Sequence, residues 1–253
     1  MRIRSFVSAV MLAALFAALP VSARAQSAAD LVAKNLAARG GADKLAAIAS
    51  IQFAGKTVFP GGFELAYKET RVRKDGKARI ESSIQGLTLV QGYDGTMGWR
   101  INPFEGRRDA ERMSADDTRA LADDATIDGP LLAAKARGSA IAYLGREDFE
   151  GTDTYKLRVV DADGAEYVYF LDPDTYLEIK VVETRKVRGA PQVMLTEYGD
   201  YELVDGVYFP FAIESGPIGT TPVQRQQTTI DNAQANIPVS DASFAMPAAP
   251  SAK

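Results

Sequence analysis

The sequence predicts a mainly β (α+β) fold, a long antiparallel meander that closes or nearly closes, with short helices. Two observations predict it. From Ile51 onward apolar residues recur with a period of two, as in strands that bury one face. Between these runs stand Asp-Gly pairs, at Asp75-Gly76, Asp94-Gly95, Asp163-Gly164 and Asp205-Gly206. Asp-Gly suits the positive-φ positions of the tight turns that join antiparallel neighbours. Gly61-Gly62, Gly189 and Asp172-Pro173-Asp174 add further turns. Strands are expected over 51–59, 63–73, 77–85, 87–93, 97–102, 140–149, 153–161, 165–172, 176–187, 193–204, 207–215 and 222–231. So many consecutive hairpins favour a sheet that curls on itself.

The segments before the first strand read as helices. Ser27 with Asp30 forms a capping box that opens a helix running to about Arg39. Gly40-Gly41 ends it, and a second short helix carries Leu45 and Ile48. The Gly pair is a helix stop rather than a phosphate loop, because no strand precedes it and no lysine follows at the required spacing. One helical interruption divides the meander. Ser114 and Asp117 form a second capping pattern ahead of Leu121; Gly129-Pro130 opens a helix through Leu131 and Leu132, and Gly138 stops it.

Residues 1–25 read as an export signal. Arg2 and Arg4 precede an apolar run from Phe6 to Leu19, Pro20 breaks it, and Ala23-Arg24-Ala25 fits the small-x-small rule, so the exported chain is expected to begin at Gln26. One domain is expected over 26–247, followed by a disordered tail at 248–253. The chain has no cysteine, which excludes a cysteine-linked lipid anchor, disulfides and thiolate metal sites. It has no histidine, which excludes Ser–His and Cys–His pairs and His-ligated metals. Loss of Arg2, Arg4 and Arg24 with the signal takes the formal charge from −4 to −7. A net acidic chain is a poor partner for nucleic acid.

No enzyme, cofactor or metal is therefore expected. The carboxylate groups that could suggest catalysis have simpler explanations. Asp116-Asp117 and Asp123-Asp124 lie in and after a helix start, where acids are favoured. Glu147-Asp148 with Glu150 is a polar strand end, and Asp172/Asp174 is a turn without the further oxygen ligands a calcium loop needs.

Strand faces suggest a different activity. Phe63, Leu65 and Tyr67 share one face of their strand; Met97, Trp99 and Ile101 share another. Two runs, Tyr167–Leu171 and Val207–Phe211, are apolar on both faces, so something must cover both sides of the sheet there.

Several stretches resemble a known family. They are Ala28–Leu36 with Gly40–Leu45, Tyr169–Ile179, Tyr198-Gly-Asp-Tyr201 with Val204–Phe211, and the closing Phe244-Ala-Met-Pro247. Together they resemble the outer-membrane lipoprotein-sorting proteins of the LolA/LolB-like superfamily, over most of the chain after the signal. The resemblance implies an incomplete antiparallel β-barrel wrapped around short helices that form a lid. It also implies a periplasmic carrier that holds lipoprotein acyl chains, or another lipid, in an apolar cavity, with an acylated lipoprotein as cargo. An inner-membrane transporter or an outer-membrane acceptor would be its partner. The family's strand arginine that touches the lid corresponds to Arg71 or Arg73. The cavity lining expected on this basis is Phe63, Leu65, Tyr67, Leu89, Trp99, Tyr169 and Phe211, with Leu121, Leu131 and Leu132 from the lid. The alternative is a lipid- or lipoprotein-sensing module of the same fold that regulates an envelope partner.

Overall fold

The computed structural model describes residues 26–248. The expected signal and its cleavage site, and nearly all of the expected tail, lie outside the described residues. Two helices come first, α1 (Ala28–Ala38) and α2 (Ala42–Ala47). The first half of the meander follows: β1 (Ser50–Phe59), β2 (Phe63–Val72), β3 (Lys77–Ile84), β4 (Leu87–Tyr93), β5 (Gly98–Ile101) and β6 (Glu111–Arg112). Then come α3 (Ala115–Asp124) and α4 (Pro130–Arg137). The second half comprises β7 (Ala140–Phe149), β8 (Thr152–Val160), β9 (Glu166–Leu171), β10 (Glu178–Val187), β11 (Ala190–Val204), β12 (Val207–Pro217) and β13 (Gln226–Ala235).

The caps behave as their residue types require. The Ser27 hydroxyl accepts from the Asp30 amide at 3.1 Å while Asp30 reaches back to the Ser27 amide, and Ser114 accepts from the Asp117 amide at 3.1 Å. Pro130 opens α4, and Gly138 closes it with φ 78°. Of the Asp-Gly pairs, Asp75-Gly76 and Asp205-Gly206 have positive φ at both residues; at Asp94-Gly95 and Asp163-Gly164 only the glycine does. Gln85-Gly86, Glu150-Gly151 and Arg188-Gly189 adopt the same double-positive turn. The general signal was therefore any polar residue followed by glycine between two apolar runs.

All thirteen strands join one antiparallel sheet in the order β6-β5-β4-β3-β2-β1-β13-β12-β11-β10-β9-β8-β7. This is chain order with one break. Every consecutive pair is adjacent except β6 and β7, and the first strand pairs with the last. A β6–β7 hairpin would close the barrel. The chain inserts α3 and α4 at that point instead, and the sheet stays open. The strands expected over 97–102 and 222–231 are β5 and β13, the latter displaced to 226–235; β6 has only two residues and carries no periodicity to read.

Register assigns the faces. Phe53, Glu69, Ile80, Gln91 and Arg100 are successive partners across β1 to β5 and share the inner face. Gln52, Thr70, Arg79, Gly92 and Trp99 share the outer one. The helices pack on the inner face. Leu31 and Val32 of α1, Leu45 and Ile48 around α2, and Leu131, Leu132 and Ala134 of α4 form one core with Ile51, Phe53, Leu157, Tyr169, Val207 and Phe209. α1 ends tightly against the β11–β12 turn: a Cβ on Gly40, whose φ is +123°, would stand 2.3 Å from the Gly206 carbonyl oxygen. The doubly apolar run of β9 is covered on its outer side by the chain itself. Phe170 packs on Phe149, with the ammonium of Lys180 4.6 Å from its ring centre. Among the described residues no helix is long and apolar enough to cross a membrane.

Candidate functional site

A cavity of about 320 Å³ lies between the inner face of the sheet and the α3–α4 connection. This is at the lower end of the ~300–1,000 Å³ typical of ligand pockets. Its walls are Phe53, Val181, Tyr198, Phe209, Ile213 and Ile230, with Tyr167 and Tyr169 beside them. Ala120 to Pro130 roof it, and Arg39 enters from the end of α1.

Charged side chains also line it, in an arrangement that repeats. The tripeptide Glu-Thr-Arg stands at 69–71 on β2 and again at 183–185 on β10. In both copies the glutamate and arginine face the cavity. Arg71 holds Glu69 through two bonds, at 2.8 and 3.0 Å, and donates to the Thr126 carbonyl at 3.2 Å. Arg185 pairs with Glu183 and donates to Asp123 and to the Tyr167 hydroxyl, both at 2.8 Å. Two further arginines hold the same connection. Arg73 pairs with Asp128 at 2.7 Å and donates to the Leu45 and Ile48 carbonyls at the end of α2. Arg39 donates to the Asp128 and Tyr208 carbonyls at 3.3 and 2.9 Å. Four arginines thus fix residues 123–128 over the cavity. Both arginines that the resemblance left open reach this segment, Arg71 through Thr126 and Arg73 through Asp128.

Asp124 ends α3 and lines the cavity, with part of its surface exposed. Loss of bulk water and the neighbouring Glu69 charge push its carboxyl up to about 7, while Arg71 pulls the other way. A carboxyl raised in the folded chain binds protons there that the unfolded chain releases. Stability should therefore fall as pH rises from the ordinary carboxylate range to about 7. We expect denaturant titrations to show this fall, and Asp124→Asn to remove it and gain stability at alkaline pH. An unchanged pH profile in that variant would assign the effect to other groups.

Of the residues expected to line the cavity, Tyr169 does so, and Tyr67 adjoins it, donating from its hydroxyl to Glu69 at 2.7 Å. Leu65 and Leu89 share the inner face with Tyr67 and lie further along the strands, outside the cavity wall. Phe63, at the start of β2, is 66% exposed. Leu121, Leu131, Leu132 and Phe211 are buried in packing among helices and sheet rather than at the cavity wall. Trp99 is a correction. It lies on the outer face, fully buried, under the segment that carries Phe244, and its indole Nε1 donates to the Phe244 carbonyl at 2.7 Å. Alternation separates two faces of a strand but does not say which one turns inward. Here a segment 145 residues away covers the apolar side from outside. Trp99 therefore does not report on the cavity.

Sequence reading missed Glu69, Glu183 and Arg185, and reached Arg71 only as one of two candidates implied by the resemblance. The signal was available: each glutamate and arginine falls in phase with the apolar inner residues of its strand, Leu65 and Tyr67 in one case and Val181 in the other. A charged pair at a buried phase marks a site or a designed ion pair.

No family model matches the chain, and no curated protein matches it. Solved structures do. An outer membrane lipoprotein-sorting protein domain from Vibrio parahaemolyticus is 11% identical, with a TM-score of 0.57 over 85% of this chain and 94% of its own. A LolA superfamily protein from Nitrosomonas europaea is 12% identical, with a TM-score of 0.58 over 87% and 98%. A DUF1329 family protein from Desulfovibrio piger is 15% identical, with a TM-score of 0.57 over 85% and 96%. At this identity the likeness is one of architecture, and it matches the open barrel with inner helices described above: the chain has the LolA-like fold.

Proposed function

We propose that the chain is a soluble periplasmic carrier that shelters a lipid chain in the cavity beneath the α3–α4 connection and takes it across an aqueous compartment. The partner at either end of the journey would be a membrane-bound donor or acceptor. The observation that carries this reading is the cavity itself, apolar along Phe53, Val181, Phe209, Ile213 and Ile230, and roofed by a segment held through side-chain contacts from four arginines. Such a roof can open without dismantling the sheet. Each buried methylene is worth ~0.8 kcal/mol, so a free lipid chain does not cross water unaided. Opening the roof costs free energy, which lowers net affinity and lets an acceptor draw the lipid out. The resemblance of the sequence to lipoprotein-sorting proteins supports acyl chains as the cargo.

The uncharged apolar fluorophore N-phenyl-1-naphthylamine tests the reading. We expect it to bind the full chain with a stoichiometry near one. Ile213→Trp, which fills the cavity from its wall, should abolish binding and leave the circular dichroism spectrum unchanged. Absence of binding to the unaltered chain, or binding undiminished in Ile213→Trp, would refute the proposal.

A further inference from the structure

The cavity is not neutral. Three arginines line it, Arg39, Arg71 and Arg185, against five carboxylates, an excess of two acids. Two of the arginines hold acids, and the third is bonded to backbone carbonyls. Arg71 holds Glu69, Arg185 holds Asp123 and Glu183 while its Nη1 stays without a partner, and Arg39 donates to the Tyr208 and Asp128 carbonyls. Glu178 and Asp124 are left without a basic partner among the described residues.

Glu178 is the more deeply placed of the two. It lies at the start of β10, only 5% exposed, and its Oε2 has no hydrogen-bond partner. Beside it, the hydroxyl of Tyr169 is also buried and also without a partner, in a residue with no exposure at all. The register makes them neighbours, since Glu178 pairs with Leu171, two residues from Tyr169 on the adjacent strand; burial first, then Tyr198 and Glu178, raise the Tyr169 hydroxyl well above the ordinary range. Tyr201 does not relieve Glu178, because its hydroxyl donates to the Glu178 backbone carbonyl instead. A buried carboxylate and a buried phenol, both without a partner, thus share one wall of a cavity that carries more acids than bases. Leaving such groups unpaired is costly, and a ligand that supplies the donors recovers that cost.

The geometry points to an amphiphile with a single apolar chain and a protonated amine as its head, the ammonium seated on Glu178 with the Tyr169 hydroxyl as second acceptor. This rests on the reading of the cavity as a lipid site and names the ligand's chemistry. An ammonium offers three donors and no acceptor, which matches what Glu178 lacks. The Asp124 carboxylate adds attraction from the roof. A carboxylate or phosphate head would meet the Glu178 and Asp124 carboxylates at this wall.

The test compares dodecylamine, dodecanol and dodecanoate, each displacing N-phenyl-1-naphthylamine from the full chain at neutral pH. Dodecylamine should displace the fluorophore at a concentration roughly 10- to 100-fold lower than dodecanol, the range for one charge-assisted hydrogen bond, with dodecanoate weakest. Glu178→Gln should bring the amine close to the alcohol, and Tyr169→Phe should reduce the amine's advantage several-fold. Calorimetry on Ile213→Trp should show no dodecylamine binding, which excludes attraction to the acidic surface. Dodecanoate equal to or better than dodecylamine would overturn the assignment. So would an amine preference that survives unchanged in Glu178→Gln, or in Tyr169→Phe should the first variant not fold. If the fluorophore binds and the three heads compete equally, the lipid reading stands and this one falls. If the fluorophore does not bind at all, both fall.

Discussion

Arg71→Met is expected to destabilise the protein by about 3–5 kcal/mol, the cost of removing one partner from a buried ion pair. The loss should fall toward the lower end of that range, because the Tyr67 hydroxyl still donates to Glu69. Glu69 is buried, and without Arg71 it loses two of its bonds. The same substitution removes the bond to the Thr126 carbonyl, so amide hydrogen exchange over residues 126–128 should accelerate more than exchange in the sheet. Denaturant unfolding gives the first quantity and exchange mass spectrometry the second. Replacing Glu69 and Arg71 together by apolar residues should restore much of the stability and none of the hold on the roof. A double variant as unstable as Arg71→Met would mean that the pair is not the source of the loss.

The second large effect belongs to Leu131. It is fully buried in α4 and packs in the same core as Leu31 and Val32 of α1. Leu131→Ala should cost about 2–5 kcal/mol, the transfer term plus the cavity left behind. Because Leu131 is not part of the cavity wall, binding of N-phenyl-1-naphthylamine by the folded fraction should change little. A cost below about 1 kcal/mol, with altered affinity, would mean that α4 moves with the roof. Together the two variants separate the parts of the helical insertion. On the proposed reading, residues 123–128 are the latch and α4 is anchored core.

Much of this architecture was legible in the residues. Ser27, Ser114, Pro130 and Gly138 mark their helix ends through local chemistry, and the polar-Gly turns mark their hairpins, so both were readable without tertiary information. The meander and its interruption followed from these. Long-range facts were not legible. Nothing local in Met97-Gly-Trp99 tells that a segment near Phe244 will cover that face, so the outer side of β5 was taken for the inner one. The expected lining was drawn from apolar residues, whereas the cavity is distinguished by polar ones. Glu69, Glu183 and Arg185 were passed over because a search for an apolar site discounts charges, and Arg71 came in only through the family resemblance. Their phase with Tyr67 and Val181 was the mark that identified them.

The pairing of the first strand with the last has a consequence for how the chain comes together. β1 can form its hairpin with β2 as soon as both exist, since their contact is local. Its other edge waits for β13, where Ile51 meets Ala235. A chain that emerges from its N-terminus must complete nearly everything else before that edge is covered. Until then β1 offers a row of unpaired amides and carbonyls to any neighbouring strand. The closing step joins residues far apart in sequence, which is the slow kind of contact. The vulnerable period of this protein is therefore the interval between its first hairpin and its last strand, and the rate of the β1–β13 closure sets how long aggregation can compete with folding.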